Sequence, residues 1–221
     1  MNSFNCYARW RIDAGLKFRD QTILQFGESW HLLATIVLLN PGSAEPVEPE
    51  PVSDKSLQDR LISYGLSVAE KGDGEYRSFK IDPLMRSVVK LFLSRYKGGV
   101  IKLLNLFNLK DPKSTSACKQ MNKYRDHQFM FTPDKEIYVD SAPVVFACGK
   151  QVLTNELLKK QLSRVIDNST ENPLFKNARI ADRKYSFVSI PNSVKAEEID
   201  CYHLSYTCKY GNRTCLGEFQ Y

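Results

Sequence analysis

The sequence predicts an α/β fold of three layers, αβα, built around a central and mainly parallel sheet. Three observations predict it. Ala34-Thr35-Ile36-Val37-Leu38-Leu39 is an unbroken apolar or β-branched run, as expected of a strand covered on both faces. It stops at Asn40-Pro41-Gly42-Ser43, a strong turn signal. The pattern then recurs. Gly99–Leu104 runs into Asn105, Pro143–Cys148 into Gly149-Lys150, and Tyr185–Ile190 into Pro191-Asn192-Ser193. Helical periodicity lies between these runs, so strand and helix alternate as in crossover units. Ligands bind such sheets at the carboxyl ends of the strands. Four strand ends are therefore expected to converge on one crevice, three of them delivering an Asn.

The elements follow in order. Residues 1–33 read as an edge hairpin, Tyr7 to Ile12 and Thr22 to Phe26, with a turn at Asp13-Ala14-Gly15. Glu45 to Pro51 is an acidic, Pro-rich loop that can be neither helix nor inner strand. A short helix follows from a cap at Ser53 or Asp54 through Leu57, Leu61 and Ile62, ended by Lys71-Gly72-Asp73-Gly74. Residues 44–80 are thus an insertion above the Asn40 edge, expected to act as a lid or substrate wall. Asp82-Pro83 starts a helix, with Asp as N-cap and Pro at the first position. Leu84, Met85, Val88, Val89, Leu91 and Phe92 give that helix a core face, and Lys97-Gly98-Gly99 stops it. Residues 111–142 are polar and only vaguely helical. Another helix follows Gly149-Lys150, with Val152, Leu153, Leu157, Leu158 and Leu162. In the tail, 196–221, Gly211-Asn212 between Tyr206–Tyr210 and Arg213–Leu216 reads as a β-hairpin loop. That pairing sets Cys208 opposite Cys215. Cys201, His203, Cys208 and Cys215 can also be written as a zinc set, but their spacing matches no standard finger, and no metal is expected.

At 221 residues the chain fits one well-buried domain spanning 1–221. Its 43% hydrophobic and 25% charged content is that of a soluble globular protein. No stretch approaches the ~20 apolar residues of a membrane helix, and the first residues lack a signal peptide's apolar core. A cytoplasmic monomer with reduced cysteines is expected. Residues 77–125 carry twelve Lys or Arg against two acids, +10, leaving −4 for the rest of a chain whose net charge is +6. Such a window either suits a polyanion such as nucleic acid or merely solvates a helix face.

With these residues in place, the sequence resembles the uracil-DNA glycosylase superfamily. Asn40-Pro41-Gly42 is similar to the first motif of its mismatch-specific thymine/uracil branch, where the Asn positions water. Gly99–Asn105 resembles the strand whose terminal Asn reads the pyrimidine. Val144 to Lys150 is similar to the family's apolar strand before a Gly-Lys helix start. Ile190-Pro191-Asn192-Ser193 stands where the family has its second motif, usually His-Pro-Ser. The chain also resembles a bacterial domain family without assigned function, through Asn40-Pro41, Asp82-Pro83 to Arg86, and Asn105-Leu106-Phe107. The resemblances cover roughly residues 30–195.

They imply a uracil-DNA glycosylase-like fold and a DNA glycosylase that needs no cofactor. Its partner is DNA with a flipped-out nucleotide. Asn40, Asn192 and Ser193 are then catalytic. Leu39, Pro41, Gly42, Ser43, Asn105 and Phe107 hold the base. Arg86, Lys110, Lys113, Lys150, Val194 and Lys195 contact DNA. Asn40 can accept from water through its carboxamide oxygen but has no basic pKa near neutrality, so it orients the nucleophile. Asn105 presents a donor and an acceptor to a pyrimidine edge.

Two departures from the family matter. Ile190 replaces the His that stabilises the leaving anion, so Asn192, Ser193 or a backbone N–H must substitute. Gly42 replaces a Tyr that blocks the pyrimidine 5-position, so a bulky 5-substituted cytosine fits. A glucosylated hydroxymethylcytosine in phage DNA, attacked as a defence activity, is compatible with that opening. Other readings of single residues stay open. Arg86 is a phosphate contact or a partner for Asp82, Val194-Lys195 a wedge or an ordinary loop, and Phe107 a stacking ring or a core aromatic. His31, His127 and His203 show no partner spacing. A non-catalytic nucleic-acid-binding module and an N-glycosidase or deoxyribosyltransferase on free nucleosides are the alternative functions.

Overall fold

The apolar runs assemble into one mixed sheet of eight strands in the computed structural model, which describes residues 4–64, 75–137, 139, 142–210 and 216. Strands β1 (Phe4–Asp13) and β2 (Leu16–Phe26) form the first hairpin, turning through Ala14 and Gly15, both at positive φ, as a two-residue hairpin loop of matching twist requires. β3 (Leu32–Leu38) is buried along its whole length. Helix α1 (Lys55–Ser63) and β4 (Glu75–Ser78) lie in the insertion. Helix α2 (Pro83–Leu93) feeds β5 (Gly99–Asn105). Then come α3 (Ser114–Lys123), β6 (Val144–Phe146), α4 (Glu156–Asp167), the hairpin β7 (Leu174–Ala181) and β8 (Lys184–Ile190), and α5 (Leu204–Tyr210).

The strand order is β4-β1-β2-β5-β3-β6-β7-β8. Parallel pairing is confined to β5-β3-β6-β7, and the remaining four pairings are antiparallel. The expected mainly parallel sheet is therefore corrected to a mixed one. The reason is local, since short turns join hairpin partners whereas parallel neighbours need a crossover. Helices cover both faces. Ile36, Ile101 and Leu103 pack with Met85, Val88, Val89 and Phe92 of α2 and Leu204 of α5. On the other face Val37, Leu104 and Phe146 pack with Met121 of α3 and with Leu158 and Leu162 of α4.

Two expectations about the tail and the fourth strand fail. Leu204–Tyr210 is helical. Its buried Leu204 and Thr207, with half-buried Cys208, follow helical spacing that its β-favouring residue types concealed. Gly211-Asn212, Cys215 and most of the expected second arm lie outside the described residues. β8 runs antiparallel to β7, pairing Ile190 with Leu174, which itself pairs with Val144 at the start of β6. The end of β8 therefore lies at the amino-terminal edge of the parallel strands, away from Asn40.

β2 carries a bulge that matters for the pocket. Between the pairs Tyr7–Ile23 and Arg9–Asp20, β2 has two residues to one in β1, and Gln21 sits at φ 47°. Arg9 and Asp20 are both buried behind this bulge. Arg9 donates to Asp20 at 2.8 Å from Nε and also to Glu136, and Arg11 reaches Asp20 at 3.0 Å. Burial alone would raise the Asp20 carboxyl, but the guanidinium groups of Arg9 and Arg11 hold it below its ordinary value. Its contribution to stability is thus present at neutral pH and is lost as pH falls through that lowered value, below about 4. Asp20→Asn should cost about 3–5 kcal/mol in urea unfolding at pH 7, because Arg9 would stay buried with one partner fewer. A loss below about 1 kcal/mol would show that the cluster does not depend on that charge.

Candidate functional site

The carboxyl ends of β3 and β5 open into a pocket of about 220 Å³ on the face covered by α2 and α5. Parity puts the polar residues there. Leu38 pairs with Asn105, and Leu38 and Leu103 belong to the core of that face, so Asn105 and Asn40 turn the same way. Thr22 follows from Leu24 and Phe26 on the same face. Arg19 lines the pocket too, three residues before Thr22. Strict alternation would send it to the other face. The extra residue at Gln21 restores it, as bulges beside functional sites do.

The wall is the start of α2, where Asp82, Pro83, Leu84 and Met85 line the cavity. Asp82 Oδ1 accepts from the Met85 N–H at 2.8 Å and caps the helix. Its Oδ2 has no partner among the described residues and lies 3.2 Å from where a Gly42 Cβ would stand. The Leu84 N–H is likewise unpaired among them. Gly42 and Ser43, the loop Asp111, Pro112 and Ser114, and His203 complete the lining.

Asn40 is held in one orientation. Its Nδ2 donates at 2.8 Å to the carbonyls of both Pro41 and Asp111. A flipped amide would set oxygen against two oxygens, so Oδ1 remains as an acceptor, with no donor from the described residues. The loop it holds is itself braced, since Asp111 accepts from the Lys113 N–H at 2.8 Å and from Gln120 at 3.0 Å. Asn105 is 6% exposed and has no side-chain hydrogen bond among the described residues. Arg19 is 3% exposed; among the described residues its one side-chain hydrogen bond runs from Nη1 to the Ala44 carbonyl at 3.3 Å, and its guanidinium lies 5.6 Å from the Phe79 ring centre. Its Nε is buried without a partner. Burial pushes its pKa down, against the pull of Cys6, Asp82 and Glu45. His203 Nδ1 accepts from the Ser205 N–H at 3.2 Å and contacts Ser205 Oγ at 2.8 Å. Burial lowers its pKa below the ordinary value, which favours the neutral ring.

Of the expected site residues, Asn40, Gly42, Ser43 and Asn105 come together, and Pro41 contributes its backbone. Leu39 and Phe107 do not, being buried in the core of the opposite face. Asn192, expected as catalytic, donates to the carbonyls of Thr170 and Asn172 beside the start of β7, so it and Ser193 stand at the opposite edge. Val194 packs against the far core and the Lys195 N–H is taken by Glu198. Neither lines this mouth. Exposed Arg86 follows Met85, and exposed Lys113 stands between Pro112 and Ser114, so both flank the pocket. Lys110 is paired with Glu45, and Lys150 with Asp200 at 2.9 Å.

The basic window is not one surface, for Lys102 is fully buried and donates to the Tyr64 carbonyl at 2.7 Å. No lining residue comes from 45–64 or 75–80. Val47 and Val52 bond instead to Ser78 and Tyr76, so the described part of the insertion docks on the β4 edge and adds nothing to the lining. Cys201 lies against Cys148, Sγ to Sγ 3.5 Å, and among the described residues no three His, Cys, Asp or Glu are grouped to hold a metal. No helix among them is long and apolar enough to cross a membrane.

Sequence reasoning missed Arg19, placed His203 in no pocket, and saw Asp82 as a cap or a partner for Arg86. The signal for Arg19 was the charged pair Arg19-Asp20 inside an apolar strand. No protein-family model, no curated protein and no solved structure matches the chain.

Asn40→Asp should destabilise the protein by about 1–3 kcal/mol, because a carboxylate would face the two carbonyls that the amide now satisfies. Urea unfolding checks it, and unchanged stability would show that the amide orientation is not enforced.

Proposed function

We propose that this chain is a monofunctional DNA glycosylase that hydrolyses the N-glycosidic bond of a flipped-out modified pyrimidine and leaves an abasic site. The observation that carries the reading is Asn40 beside Asn105 in one pocket, the first with its oxygen free and the second with its whole amide free. The uracil-DNA glycosylase-like pattern of Asn-bearing strand ends supports it. At about 220 Å³ the cavity is below the ~300–1,000 Å³ usual for small-molecule clefts, a size suited to one base.

In this mechanism Asn40 Oδ1 accepts a hydrogen bond from water and aims its oxygen at C1′ of the sugar. The new bond is C1′–O, the bond that breaks is C1′–N1, and its electron pair leaves with the base. The water's proton passes to solvent. Asn105 pairs with the pyrimidine edge. Orientation without a strong base predicts a slow enzyme.

A second reading, hydrolysis of free nucleosides, draws support from the scattering of the basic window. Incubation with DNAs carrying different modified pyrimidines, and with the matching free nucleosides, separates the two. Alkaline cleavage at abasic sites in DNA supports the glycosylase, and release from nucleosides alone supports the alternative. Asn105→Ala should reduce release by about 10²-fold or more if it reads the base. No release from any substrate, by wild type as by variant, would leave a binding module.

Gly42 is not in the left-handed region, and its Cβ would meet only Asp82 Oδ2, so substitution there strains no backbone. Gly42→Tyr should fold, at a cost near the ~1 kcal/mol of a perturbed cap, and should lose release of 5-substituted bases. A folded Gly42→Tyr enzyme that still releases a bulky 5-substituted base refutes the open-pocket account.

A further inference from the structure

Arg19 and Asp82 line the same cavity as opposite charges that do not pair with each other. Among the described residues no carboxylate lies within 4.0 Å of the Arg19 guanidinium. A cation 3% exposed, with one long side-chain hydrogen bond and the Phe79 ring beside it, is costly to keep, and its unmade hydrogen bonds call for an acceptor. Asp82 is half-buried, and its Oδ2 is an acceptor that no described residue uses, set against Gly42. A ligand that fits between them must offer an acceptor to one and a donor to the other.

We infer that Arg19 and Asp82 read the two ends of one pyrimidine edge and select an aminopyrimidine, of the cytosine class, over a dioxopyrimidine of the uracil class. This rests on the glycosylase reading of the pocket. Cytosine offers its O2 carbonyl as acceptor to Arg19 and its 4-amino group as donor to Asp82. A carboxylate only accepts, and pairs with a cytosine amino group in the same way elsewhere. Uracil would turn its O4 carbonyl toward Asp82, oxygen against oxygen. Asn105, with both donor and acceptor, tolerates either base and cannot make this distinction alone.

The test uses free 5-hydroxymethylcytosine and 5-hydroxymethyluracil, which as products are not turned over, titrated into the whole protein and followed by NMR. Wild type should bind the cytosine base about tenfold or more tightly than the uracil base. Asp82→Asn keeps a capping oxygen for Met85 and adds a donor, so it should fold and lose or invert that preference. Arg19→Met should weaken both bases by about tenfold or more while raising the melting midpoint by about 2–4 °C, since an underpaired buried charge is replaced by an apolar chain. A structural Arg19 would give the opposite sign.

Equal binding of the two bases by wild type, or an Asp82→Asn protein that keeps the cytosine preference, overturns the inference. So does an Arg19→Met protein that melts lower and binds both bases as wild type does. Selective binding without base release from any DNA would leave this inference standing and sink the glycosylase reading. Release from DNA with no preference between the two classes would do the reverse.

Discussion

The pocket depends on one extra residue in β2. Gln21, at φ 47°, interrupts the alternation of a strand that would otherwise aim Arg19 away from Thr22. With the bulge in place, Asp20 pairs with Arg9 on one face while Arg19 enters the pocket on the other. The bulge is pinned from behind, where Gln21 Nε2 donates to the Glu136 carbonyl at 3.0 Å and Glu136 itself pairs with Arg9. Two arginines ten positions apart thus have opposite fates. Arg9 is buried against two carboxylates, with only its Nη1 left over, whereas Arg19 is buried with no carboxylate in reach.

That contrast separates stability from function within one hairpin. A paired buried cluster rigidifies its surroundings, while an underpaired cation adjacent to a cavity is a cost the fold tolerates. The pocket repeats the pattern at smaller scale. Asn40 spends both amide hydrogens on the backbone and leaves an oxygen, and Asp82 spends one oxygen on a helix cap and leaves the other. Each side chain is positioned by the half of its bonding capacity that the protein uses. The unused halves face the same space.

Much of this was legible in the sequence because it is local. Apolar runs, Asp82-Pro83 and the residues after each run marked the strands, α2 and the Asn40 and Asn105 ends directly. Long-range pairing was not legible. Nothing in Tyr185–Ile190 says that the strand runs antiparallel to its neighbour, and that one fact moved Asn192 and Ser193 to the wrong edge. Parity also failed at Leu39 and Phe107, which follow the right strands but point into the far core. Arg19 required knowledge of the bulge, and a bulge shows itself only when two strands are in register. Composition misled over Lys102, a basic residue at the centre of the sheet, and over Leu204–Tyr210, where β-favouring residues form a helix.

The displacement of Asn192 and Ser193 bears on how a base could leave this pocket. Stabilising a departing anion needs a donor or positive charge aimed where the charge develops. Nothing from the end of β8 is available, and Ile190 offers no donor in any case. His203 lines the cavity, but burial lowers its pKa and its Nδ1 is occupied by Ser205, so near neutrality it is not a standing cation. Arg19 is of a different kind. Even with its pKa depressed by burial, a guanidinium starts far above neutral pH, so its charge needs no proton delivered from solvent. A charge already in place costs no reorganisation as a bond breaks. Under the proposed glycosylase reading, the place for the leaving base's charge is therefore the strand that the bulge re-aims.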